Sequence, residues 1–230
     1  MSTVAEYSRY VAANIGGKFN QDGTVRVFPG NTIISKIDDS MKIYQELCGL
    51  VDKLLHAVER TPFSWLPASS YHMTVIEGVC DQNRREGYWT SLLSLDTPLD
   101  DVDALFKREF AKVQQPTEIR MRWKRIQLGS ALTVRLEPAT EESRAQLVAY
   151  RNDVSQRLGI RFPNHDDYGF HISLAYLTST PTEEEANQID RELDNVNQYI
   201  EQTPLTFSIR QPQLCFFKDM FDFSPTRLVR

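Results

Sequence analysis

Two short stretches decide how this sequence is read: Tyr71-His72-Met73-Thr74-Val75-Ile76-Glu77-Gly78-Val79 and Phe170-His171-Ile172-Ser173-Leu174-Ala175-Tyr176-Leu177-Thr178. Both are dominated by β-branched and large apolar residues, as strands are. Side chains of a strand alternate between its faces with period two. His72, Thr74 and Ile76 therefore share one face, and His171, Ser173 and Ala175 share another. Met73 and Val75, or Ile172 and Leu174, take the opposite face and can enter a core. Each strand sets an imidazole and a hydroxyl side by side, roughly 6–7 Å apart. By the same alternation Tyr71 and Tyr176 point away from the histidines, into core.

Outward from these stretches the chain alternates helices and strands. Residues 3–14 read as a short helix stopped by Gly16-Gly17, and Asp22-Gly23 as a tight turn. Asn31 to Ile37 is a β-branched run. Ile43, Leu47, Leu50, Val51, Leu54 and Val58 recur at helical spacing to about Glu59. Residues 80–100 are polar and irregular, the longest candidate loop or lid. Leu99 to Val113 is helical by pattern. Ile119 to Leu128 and Leu132 to Leu136 form a hairpin about Gly129-Ser130. Thr140 to Leu158 is a long helix ended by Gly159, and Thr182 with Glu185 makes a capping box for a helix to about Glu201. Leu205 to Phe217 supplies one or two closing strands. The hairpin argues for an α+β fold with a mixed sheet, not an all-parallel one. Each half has a long helix followed by a strand that opens with His-x-Thr/Ser.

The bulk numbers exclude several classes. With 230 residues, 41% hydrophobic and 25% charged, the chain has the composition of a globular protein. A net charge of −5 fits a small ligand or an RNA end better than a long duplex, which asks for a basic surface. Cys48, Cys80 and Cys215 are far apart, without a CxxC pair, and read as reduced thiols. The absence of a signal-like segment or of about 18 consecutive apolar residues gives the expectation of a soluble, cytoplasmic protein with no membrane partner.

Two imidazoles and two hydroxyls around one cavity suit a phosphate diester. Neutral imidazole can take a proton from water, and imidazolium can give one to a leaving alkoxide. The hydroxyls can donate to non-bridging phosphate oxygens. This chemistry asks for no metal and no cofactor. Asn164-His165-Asp166-Asp167 has the composition of an ordinary turn. Gly16-Gly17-Lys18 does not fit the phosphate-cradling loop pattern, and no G-x-S-x-G elbow is present. Lys18, the loop aromatics Trp65 and Trp89, and Arg122 of the alternating Arg120, Arg122, Lys124 row are candidate substrate contacts.

The paired His-apolar-Ser/Thr-apolar motifs resemble those of the two-histidine (2H) phosphoesterase superfamily, which includes RNA 2′,3′-cyclic phosphodiesterases. The runs Gly17-Lys18-Phe19, Asp22-Gly23, Phe28-Pro29-Gly30-Asn31-Thr32 and Asp167-Tyr168-Gly169-Phe170-His171 resemble a little-characterised branch of it. The resemblance implies one two-lobed domain over residues 1–230, with mixed or antiparallel sheets facing a central groove and helices outside. Residues 1–30 would be an N-terminal extension. His72 and His171 would be acid and base, and Thr74 and Ser173 would hold the phosphate. The expected substrate is a small cyclic nucleotide or an RNA end, bound by a monomer. The same groove leaves open a non-catalytic binder of nucleotides or RNA ends, and an RNA-end ligase or trimming exonuclease.

Overall fold

A computed structural model describes residues 4–57 and 62–226. Its elements in chain order are α1 (Val4–Asn14), β1 (Gly30–Lys36), α2 (Lys42–Ala57), β2 (Phe63–Trp65), β3 (His72–Cys80), α3 (Leu99–Phe110), β4 (Ile119–Leu128), β5 (Ala131–Pro138), α4 (Glu141–Leu158), β6 (His171–Leu177), α5 (Glu183–Gln202), β7 (Thr206–Ile209), β8 (Gln213–Asp219) and β9 (Asp222–Ser224). The expected end of the second helix near Glu59 and the start of the first at residue 3 lie outside the described residues. Local signals place the helix ends. Gly159 adopts φ 63°, a left-handed conformation that ends α4, and Thr182 with Glu185 forms the reciprocal capping box of α5.

The strands form one curled sheet in the order β7-β4-β5-β6-β3-β1-β8-β9, with β2 added to β6. The ladders between these strands are antiparallel. Two lobes are visible in this order, β3-β1-β8-β9 and β6-β5-β4-β7. They meet where β3 and β6 pair through Met73 and Ile172. Both residues are fully buried, so the motif strands turn their apolar faces into a shared core. No disulfide joins the cysteines. Among the described residues no helix is long and apolar enough to cross a membrane.

Each motif strand carries a β-bulge at the same place. In β3, Ile34 pairs with Thr74 and Ile33 with Ile76, so Val75 is an extra residue. In β6, Thr133 pairs with Ser173 and Leu132 with Ala175, so Leu174 is extra. The extra residue stands three positions after the histidine in both strands. Bulges break the ladder and leave backbone groups without a strand partner. Here both carbonyls find one elsewhere. Leu174 O accepts from the Leu66 N–H at 2.9 Å. Val75 O accepts from Nη1 of Arg151, a buried residue of α4.

Arg151 also ties the two motif strands together. Its Nη2 donates to His165 O at 2.7 Å in the segment that leads into β6. The guanidinium lies 5.0 Å from the Tyr168 ring centroid and 5.3 Å from that of Phe170. Replacing Arg151 by Met keeps the stem but strands two buried carbonyls. The expected loss is about 3 kcal/mol of unfolding free energy. Urea denaturation with an unchanged slope checks it, and a loss below roughly 1 kcal/mol, the usual range for a hydrogen bond of little consequence, would refute the bridging role.

Candidate active site

The β3–β6 seam brings the four motif side chains together. Antiparallel pairing of Met73 with Ile172 sets His72 opposite Ser173 and Thr74 opposite His171. Directly opposed residues on one face have Cβ atoms roughly 4.5–5.5 Å apart, and diagonal ones such as the two histidines about 7–8 Å. A cavity of about 570 Å³ is lined by His72, Thr74, His171 and Ser173 together with Lys18 and Glu77.

The bulges decide what else faces this cavity. Regular alternation puts Ile76 and Ala175 on the histidine face and turns Tyr176 away. The extra residue in each strand reverses the phase. Ile76 and Ala175 are buried in the core, while Glu77 and Tyr176 line the cavity, Tyr176 packing into the core as well, as expected. These two occupy equivalent positions, five residues after each histidine. Tyr71, before either bulge, does point into the core, 3% exposed and 6.3 Å from the Tyr44 ring.

Both imidazoles are held by the same device. His72 Nδ1 lies 2.7 Å from Ser70 O, and His171 Nδ1 lies 2.8 Å from Gly169 O. A carbonyl only accepts, so Nδ1 carries the hydrogen and Nε2 keeps its lone pair as the proton-accepting atom. Neighbouring rings fix the planes. Phe223 stands 4.2 Å from His72, and Tyr168 stacks on His171 at 6.2 Å and 30°. The Arg135 guanidinium lies against Gly169, in the space a Cβ there would take, so a side chain at 169 would have to displace it. Arg135 pairs with His171 across β5 and β6.

Burial disfavours the charged form of both rings. It holds His72 down at about 4, against the pull of its Ser70 hydrogen bond and aided by the neighbouring His171 and Lys36. It also holds His171 below the usual 6.5, with Arg135 and Lys18 acting the same way and Glu77 opposing. Burial pushes the Tyr168 hydroxyl up, and Glu77 adds to it. Glu77 itself accepts from Asn164 Nδ2 at 3.0 Å.

The remaining candidate substrate contacts divide. Lys18 lines the cavity. The other three stand outside its described lining. Trp65 sits on β2 opposite Ala175 and packs edge-on against Phe63 at 5.4 Å. Trp89 is 5% exposed, donates to Ser94 O and stacks under Arg84 at 4.3 Å, all within the 80–98 segment. That segment is anchored to α4, where Thr90 Oγ1 donates to Leu158 O at 2.6 Å. Arg122 pairs with Glu137 at 2.8 Å on the hairpin, and Lys124 shares the same carboxylate at 2.7 Å. His165 is buried against Asn152, and Asp166 pairs with Arg161. Glu77, Tyr168, Tyr176 and Phe223 are cavity residues that periodicity alone does not single out.

A family model named 2H-phosphodiest, described as a domain of unknown function (DUF1868), matches residues 18–131. The match holds the first histidine motif and ends before the second. A crystal structure of the conserved protein of unknown function ATU0111 from Agrobacterium tumefaciens str. C58 is similar, with a TM-score of 0.83 at 27% identity over 92% of this chain and 90% of that one. A crystal structure of TT0787 of Thermus thermophilus gives a TM-score of 0.40 at 17% identity, over 81% of this chain and 85% of that one. No curated protein matches.

Nitrogen-15 NMR checks the ring states. At pH 7 both histidines are expected as the neutral Nδ1–H tautomer, with His72 titrating near 4. Folded values below the unfolded one also mean that stability falls as pH drops from 6.5 through about 4. A charged ring at pH 7 in the unliganded protein contradicts this assignment.

Proposed function

We propose that the chain is a phosphodiesterase of the 2H phosphoesterase-like group, opening a 2′,3′-cyclic phosphate on an RNA end or a small nucleotide; the family model over residues 18–131 supports this reading. The observation that carries this reading is the matched pair of histidines, each held through Nδ1 by the carbonyl two residues before it, in one cavity with Thr74 and Ser173. One free Nε2 accepts a proton from water as the oxygen attacks phosphorus. The bond from phosphorus to one ribose oxygen breaks, and the other imidazole, protonated at Nε2, gives its proton to that oxygen. Thr74 and Ser173 donate to the non-bridging oxygens, where charge gathers in the transition state. The reaction leaves a ribose phosphomonoester and the two rings with their protons exchanged. These four side chains supply base, acid and anion donors, so the step requires no metal.

The pH dependence follows from the two depressed rings. Turnover needs one histidine neutral and the other charged, whichever takes each role. Below about 4 both are charged and the base is lost; above the value of His171, itself under 6.5, both are neutral and the acid is lost. The kcat/KM profile is therefore a bell that lies on the acid side of 6.5. A bound phosphate anion favours imidazolium, so the alkaline limb of kcat stands at higher pH than that of kcat/KM.

Hydrolysis of nucleoside 2′,3′-cyclic phosphates with EDTA present tests the proposal. His72→Ala and His171→Ala should each lower kcat by roughly 10²- to 10⁴-fold. Wild-type turnover in either variant would sink the acid–base mechanism. A bell centred above 6.5 in kcat/KM would refute the neutral ground state of the pair.

A further inference from the structure

Lys18 enters the groove on a segment that spans both lobes. Asn14 Nδ2 bonds Leu177 O of β6 at one end of it, and the Phe28 N–H bonds Lys218 O of β8 at the other. Between them Phe19 is fully buried, 5.0 Å from the Tyr176 ring and 6.3 Å from that of Phe221. The Lys18 backbone is tied on both sides, its N–H to Asn14 O at 3.1 Å and its O to the Arg26 N–H at 2.8 Å. The side chain is thus presented to the cavity by ordered backbone.

The surroundings of the ammonium leave its charge unanswered. It stands 4.9 Å from the Tyr176 ring centroid and 5.8 Å from that of Phe28. Nζ donates to the Tyr176 hydroxyl at 3.4 Å, and among the described residues no carboxylate pairs with it. A half-buried ammonium with neutral partners gains from an incoming anion far more than a solvated one. The carboxylate among the described lining residues, Glu77, belongs to the other motif strand and is engaged by Asn164. The cavity is therefore uneven in charge, and Tyr176 with Lys18 marks its cationic side. Tyr176 follows Ser173 by three residues, roughly 10 Å or less along a strand. One ribose separates two phosphates by a comparable span.

We infer that Lys18 holds a second phosphate of the substrate, one sugar away from the phosphate that reacts, with the Tyr176 and Phe28 rings as its walls. This rests on the hydrolase reading above and narrows it: the preferred substrate carries a 5′-phosphoryl group in addition to its cyclic phosphate. The group is either terminal, on a mononucleotide, or internucleotide, on an RNA fragment.

Three substrates separate these sources: adenosine 2′,3′-cyclic phosphate, the same compound with a 5′-phosphate, and a dinucleotide ending in the cyclic phosphate. Wild-type kcat/KM should favour at least one of the last two over the first by about ten-fold, or 1.4 kcal/mol. Gain on both assigns a general 5′-phosphoryl site; gain on the dinucleotide alone assigns an RNA end. Lys18→Met should collapse the ratio toward unity, and Lys18→Arg, which keeps the charge, should retain it. Equal wild-type rates on all three, or a preference that survives in Lys18→Met, overturns the inference. If none is hydrolysed, the hydrolase reading fails by itself. Calorimetric binding of adenosine 2′,5′-bisphosphate against adenosine 2′-monophosphate then decides on Lys18: tighter binding of the bisphosphate, lost in Lys18→Met, supports the site, and equal binding refutes it.

Discussion

The carbonyl of Val75 has lost its strand partner, and the site is organised around how that loss is met. A β-bulge in a core strand exposes a backbone acceptor in a region without water, at a cost that must be offset locally. Arg151 offsets it with one arm and reaches the lead-in to the second motif strand with the other. The same guanidinium faces Tyr168 and Phe170, which flank Gly169, the residue whose carbonyl orients His171. One buried cation thus couples the shape of the first motif strand to the ring orientation in the second. The other bulge needs no such device, because Leu66 lies close enough for its N–H to serve.

Much of this arrangement is legible in the sequence, up to the residue where alternation stops. Period two correctly pairs His72 with Thr74 and His171 with Ser173, and it buries Met73 and Ile172. It fails one residue later in both strands. The extra residue in a bulge can be any residue with ordinary backbone angles, and Val75 and Leu174 differ in no way from strand residues. Without the bulge, Ile76 takes the place of Glu77, and Tyr176, which does pack in the core, is turned away from the cavity it also lines. Helix ends are readable because their signals are local, as at Gly159 and Thr182. Trp65, Trp89 and Arg122, which stand outside the described lining of the cavity, show the limit of composition. A ring or a charge tells what a residue can bind, not which neighbour claims it first. For Arg122 a signal did exist, since folding the hairpin about Gly129-Ser130 puts it against Glu137.

The two halves repeat a backbone device but not a charge. Each supplies a histidine, a hydroxyl two residues on, a bulge, and a polar residue at the fifth position. Glu77 and Tyr176 then break the likeness. Burial and neighbouring cations act against the charged form of both rings, while Glu77 pulls His171 back toward it. A repeated scaffold thereby sets two similar rings in unlike electrostatic surroundings.

The position of β1 has a consequence for how the protein is made. This strand lies between β3 and β8, and β8 is among the last elements in the sequence while β1 is among the first. A growing chain holds β1 and β3 long before β8 exists, so one edge of β1 stays open until β8 is made. Pairings of such separation fold slowly and leave adhesive strand edges exposed meanwhile. Phe28, at the groove, waits in the same way for Lys218. The groove is therefore completed late, and a nascent chain carries both histidine motifs well before it carries a finished site.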